Sequence, residues 1–141
     1  MRSIGLSVLF FLLVGCAGSG VKSPSIVLSQ INQFQNTNKV FVLRDTGYSG
    51  GGALMKVLVN GEEAGILGAG ESLFSDTVTG ENTVEVSFTG IGSLGISNPT
   101  YSSFSVSSTE NRFFIVSLKT GAMTSKLRLM EVTEQSFRDA L

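Results

Sequence analysis

Hydrophobic and polar positions divide this chain into three stretches. The first is apolar without interruption by charge: Ile4-Gly5-Leu6-Ser7-Val8-Leu9-Phe10-Phe11-Leu12-Leu13-Val14, behind the single basic residue Arg2. Eleven residues are too few to cross a hydrocarbon core, which takes about 20 in a helix. The run has the length and flanks of the apolar core of an export signal, so residues 1–15 are expected to be a signal peptide. The second stretch, 16–37, is rich in Gly and Ser at its start and in Gln and Asn at its end, and is expected to be a flexible tether. A chain of that kind has an r.m.s. reach of roughly 25 Å. Its middle has two readings. Ser23-Pro24 suits a helix start, with Val27, Ile31 and Phe34 on one helical face. Equally, Ile26 to Leu28 suits an extended piece lying on the domain.

The third stretch, 38–141, has β periodicity. Lys39-Val40-Phe41-Val42-Leu43-Arg44 is a short apolar run rich in β-branched residues. After a glycine-rich loop, Leu54-Met55-Lys56-Val57-Leu58-Val59 leads into Asn60-Gly61. Asn-Gly between apolar runs predicts a tight hairpin, because both turn positions tolerate φ > 0. Ala64 to Leu67 is the return strand and Glu71 to Val78 the next. In Thr83-Val84-Glu85-Val86-Ser87-Phe88 apolar and polar positions alternate, which predicts one wet face and one dry. Tyr101 to Ser107 alternates likewise, with Phe104 and Val106 on one side. Arg112 to Leu118 is the most apolar segment and is expected to be central. Ser125 to Val132 closes the sheet region, with Lys126 and Arg128 facing out. The tail from Thr133 suits a short helix that packs Phe137, Ala140 and Leu141 back on the sheet. Seven or eight short strands with a turn every 8–12 residues predict an all-β fold, an antiparallel β-sandwich of Ig-like kind.

Composition narrows the chemistry. The chain has 141 residues, enough for one folded domain. It has no His, the usual general base near neutral pH and the commonest transition-metal ligand. Its only Cys, Cys16, lies at the signal boundary, so no disulfide can form within the domain. With Arg2 removed from 10 basic residues, the processed chain carries 9 against 11 acidic ones. That excludes a nucleic-acid binder of the usual basic kind.

The signal ends in Leu13-Val14-Gly15-Cys16, which resembles the bacterial lipobox. The resemblance implies cleavage between Gly15 and Cys16 and a covalent lipid, palmitate among its chains, on the Cys16 thiol. Two acyl chains are enough for stable anchoring. Ala17 stands where an Asp would retain the protein at the inner membrane, so the resemblance implies the periplasmic face of the outer membrane. The domain resembles an uncharacterised family of bacterial lipoproteins, domain of unknown function 2846, with PEGA-like hairpin features. The matching segments are Val42-Leu43-Arg44, the hairpin Val57 to Leu67, Thr79-Gly80-Glu81-Asn82-Thr83-Val84, and Phe113 to Leu118. This chain has Asp45 where the family has Pro, and lacks the family's Pro and His before Thr83. The family has no assigned activity, so the resemblance implies fold and location and no catalytic residue.

Candidate chemistry is sparse. Gly90-Ile91-Gly92-Ser93-Leu94-Gly95 has dinucleotide-binding spacing, but Asn98-Pro99 and an alternating strand follow where a helix is required. The loop Gly47 to Gly52 lacks the Lys of a phosphate-binding loop. Glu62 and Glu63, adjacent on a strand, point to opposite faces and suit no acid–base pair. Asp45, Glu71 and Asp76 are the remaining candidates for a weak Ca²⁺ site, without EF-hand spacing. A Ser-Lys dyad would need Lys56, Lys119 or Lys126. The expectation is therefore a non-enzymatic, membrane-anchored envelope module, with no metal and no cofactor beyond its lipid. Its partner would be another envelope protein, held at residues 47–53 and 90–100, with Tyr48, Gly50, Gly51 and the adjoining Tyr101 as contacts. The alternative is a small-ligand binder for lipid or glycan.

Overall fold

Among the described residues eight strands form where the periodicity placed them, and they pack as a β-sandwich with two helices on one side. The computed structural model describes residues 18–46, 53–89, 99–120 and 125–141. In chain order the elements are α1 (Pro24–Gln33), β1 (Lys39–Arg44), β2 (Leu54–Val59), β3 (Glu62–Leu67), β4 (Ser72–Asp76), β5 (Gly80–Thr89), β6 (Thr100–Val106), β7 (Arg112–Thr120), β8 (Ser125–Val132) and α2 (Glu134–Asp139). One sheet runs β4-β1-β7-β8 and the other β3-β2-β5-β6. The β2–β3 hairpin turns at Asn60 and Gly61, with φ of 52° and 82°, the conformation that the Asn-Gly pair tolerates. β7 is an inner strand, as its apolar run suggested.

One pairing departs from an all-antiparallel sandwich. β1 runs parallel to β7, with Val40 opposite Arg112 and Leu43 opposite Ile115. Turn residues encode the direction of strands joined by a short loop. These two are far apart in sequence, so no local signal carries their direction.

The space between the sheets is filled from both sides by Val40, Val42, Phe114 and Val116 against Met55, Val57, Val84, Val86, Phe104 and Val106. Phe104 meets Phe114 across it, ring centroids 5.2 Å apart. Each such side chain contributes about 1.5–3 kcal/mol on full burial. A second apolar layer lies on the outer face of β4-β1-β7-β8, where Phe41, Leu43 and Phe113 meet Val27 and Ile31 of α1 and Phe137 of α2. Phe41 stacks on Phe113 at 5.2 Å, and Phe113 meets Phe137 at 5.3 Å.

This second layer corrects the expected tether. The described residues before 38 belong to the folded unit and are not a tether. α1 starts after Ser23 with Pro24 in its first turn, and buries Val27 and Ile31. Of the two readings of this segment, the helix after Ser23-Pro24 holds and the extended piece does not; its polar composition is compatible with a helix because only three or four side chains per two turns need be apolar on a surface helix. α2 is capped by Thr133, whose hydroxyl accepts from Ser136 N, and it buries Phe137. Leu141 joins the same cluster, while Ala140 is exposed. Arg138 ties the helices together, donating to Asn32 Oδ1 at 2.8 Å.

Candidate functional site

Residues 18–21 run along β3 and β4, which are the edge strands of the two sheets on one side of the sandwich. Ser19 N donates to Ile66 O at 2.8 Å, and Ile66 N donates to Ser19 Oγ at 2.9 Å. Val21 and Ser72 exchange two backbone bonds of 2.8 Å each. The segment thereby joins one sheet to the other and covers edges that would otherwise offer unpaired backbone groups. Its glycines allow the close approach. A Cβ on Gly18 would stand 2.6 Å from Gly68 N and 2.9 Å from Ile66 O.

The same end of the sandwich, here the proximal end, is braced by Arg44. Its side chain is 3% exposed, and Nη1 donates to Ala53 O at 2.6 Å and to Leu67 O at 3.1 Å. It reaches from the end of β1 to the start of β2 and the end of β3, across the two sheets. Burial holds its pKa below the ordinary guanidinium value, opposed by the charges of Asp45 and Glu71. The guanidinium stays charged regardless. The signal for it was an Arg ending an apolar run, a position that suits a charge-bearing strut as well as a solvated strand end.

The distal end is held by side-chain amides. Asn82 accepts from Val78 N at 2.9 Å and donates to Val78 O and Gly80 O, and Asn60 donates to its Oδ1 at 2.9 Å. Asn38 accepts from Glu110 N at 3.0 Å, and Asn111 accepts from Lys39 N at 2.9 Å and donates to Phe34 O at 2.7 Å. Asn36, Asn38 and Asn60 have φ between 52° and 57°, which Asn tolerates better than most residues. Of these asparagines the sequence singled out Asn60 as a turn former.

On the side opposite residues 18–21, β6 and β8 are the unpaired edges of the two sheets among the described residues. Tyr101 lies on β6, opposite Glu85, and is 73% exposed. Ser103 and Ser105 share its outward face. Arg112 braces this edge from β7. It donates to Ser105 O and, at 2.5 Å, to Glu131 Oε1, and lies 5.9 Å from the centre of the Phe104 ring. Its Nε is buried with no acceptor among the described residues.

The other sequence candidates disperse. Tyr48, Gly50, Gly51, the segment 90–98, and Gly15 with Cys16 lie outside the described residues. Asp45 and Glu71 are at the proximal end, but Asp76 pairs with Lys39 at the distal end, so the three form no cation site. No cluster of His, Cys, Asp and Glu suited to a metal occurs among the described residues. Glu63 faces the Lys56 ammonium at 3.9 Å, while Lys119 and Lys126 stand opposite each other, both exposed. Two shallow depressions are formed by described residues. One, of about 270 Å³, is lined by Gln35, Asn36, Glu110, Asn111 and Glu134, and the other, of about 230 Å³, lies between α1 and the β3 and β4 edges. No family model matches the chain, and no curated protein or solved structure is significantly similar to it, so the family resemblance rests on the quoted motifs alone.

Proposed function

We propose that this chain is the precursor of a bacterial envelope lipoprotein, processed at Cys16 and anchored by lipid on that sulfur. Its β-sandwich then acts as a non-catalytic binding or scaffolding module of the uncharacterised lipoprotein family it resembles. The observation that carries this reading is the placement of the single Cys. It ends the sequence Leu13-Val14-Gly15-Cys16 behind an apolar run, three residues before the backbone first bonds to the sandwich at Ser19. A thiol is the strongest nucleophile among the side chains for thioether formation, and small residues before it admit a peptidase. Ala17 favours the periplasmic face of the outer membrane in a two-membrane cell.

The module's partner is another envelope protein, and the surface that suits it best is the β6 edge. An unpaired strand edge offers backbone donors and acceptors for strand addition, and Tyr101 adds an exposed aromatic. The alternative, a lipid or glycan bound between the sheets, calls for an apolar cavity of a few hundred Å³. Among the described residues that space is occupied by the side chains that meet there, Phe104 against Phe114.

Cys16→Ser tests the anchor. Radiolabelled palmitate should no longer be incorporated, and the protein should leave the membrane fraction. Unchanged labelling and fractionation would refute the proposal.

A further inference from the structure

A lipid on Cys16 fixes where the bilayer is relative to the fold, and the orientation inferred from it rests on the lipoprotein reading. Gly18 is the first described residue, and from Ser19 onward the backbone is bonded to β3 and then to β4. Cys16 is two residues upstream. Two residues of fully extended chain span at most about 7 Å. A lipid on the Cys16 sulfur is therefore held within a side chain's length of that reach from Gly18. The domain does not swing on a 22-residue tether, because residues 18–37 are part of it.

Gly18 lies beside Gly68 and Glu71 in the β3–β4 turn. By strand register the same end holds Arg44, the start of β2, the end of β5, the start of β6, the end of β7 and the start of β8. Charge is divided along the strands in the same sense. The proximal end has Lys22, Lys119 and Lys126, all exposed, and the buried Arg44, against Asp45 and Glu71. The middle is balanced, with Lys56 and Arg128 against Glu63 and Glu85. The distal end has Lys39 and Arg112 against Glu62, Asp76, Glu81, Glu110 and Glu131. The ends thus carry opposite net charge, although the processed chain is close to neutral.

We propose that the proximal end of the sandwich is a membrane-facing surface that lies on anionic phospholipid headgroups. The short leash brings it there, and Lys22, Lys119 and Lys126 hold it there. The acidic distal end points away from the bilayer, and the β6 and β8 edges stand at the side, open to a partner. Orientation by charge weakens over a Debye length, about 8–10 Å at physiological salt. The leash does not weaken with salt, so the two contributions are separable.

The test uses the protein as a bacterial host matures it, reconstituted with vesicles of phosphatidylethanolamine and phosphatidylglycerol carrying a headgroup quencher. A fluorophore is placed on Thr46→Cys, at the exposed proximal end, or on Val78→Cys, at the exposed distal end. Quenching should be several-fold stronger at position 46. Insertion of ten Gly and Ser residues between Ala17 and Gly18 should remove most of the difference in high salt. In low salt with the insertion, Lys22→Glu, Lys119→Glu and Lys126→Glu together should remove what remains. Equal quenching at 46 and 78 without the insertion, in protein that floats with the vesicles, would overturn this orientation alone. Protein that does not float at all would overturn the lipoprotein reading beneath it.

Discussion

The two sheets differ in what covers them. In β3-β2-β5-β6 one face is dry and the other wet, so burial alternates along β2 and β5. In β4-β1-β7-β8 the inner face packs on the opposite sheet and the outer face is roofed by α1 and α2. Five consecutive residues of β1, Val40 to Arg44, are consequently buried. The difference shows that the helices, and with them residues 24–33, are required by the fold. Without them Phe41, Leu43 and Phe113 would face water.

The largest effect is expected at the most buried point of the roofed sheet. Phe41→Ala removes a ring that touches Phe74, Phe113 and Phe137. It should lower stability by about 3–5 kcal/mol in urea unfolding. Ile31→Ala tests the roof itself and should cost about 2–4 kcal/mol. A loss near zero would return residues 24–33 to the status of a tether. Asn82→Ala strips the distal end of the amide that bonds Val78, Gly80 and Asn60, and should cost about 1–3 kcal/mol. On the wet sheet, Tyr101→Ala should change stability by no more than about 0.5 kcal/mol. In cells, however, it should weaken any partner captured by crosslinking, and unchanged capture would remove the β6 edge as the contact.

The wet sheet was the more legible of the two. Period-two alternation states both that a strand is present and which face is buried, and Val84, Val86, Phe104 and Val106 are buried as that pattern requires. The apolar runs of β1 and β7 state that both faces are covered but not by what. The cover lay in a segment whose polar residues, Ser25, Ser29, Gln30 and Asn32, belong to the solvent side of a helix. Pairing direction was illegible for β1 and β7 because no turn joins them. Of the candidate sites, Tyr101 is exposed as expected, and Asp76 is separated from Asp45 and Glu71 by the length of β1. The bracing roles of Arg44, Asn38, Asn82 and Asn111 were illegible because they depend on carbonyls and amides brought close only by folding.

Intact and peptide mass spectrometry of protein isolated from the membranes of its own host tests the lipid anchor most directly. The chain should start at Cys16 and carry a diacylglyceryl group on sulfur. An unmodified Cys16, or a start elsewhere, would contradict the anchor.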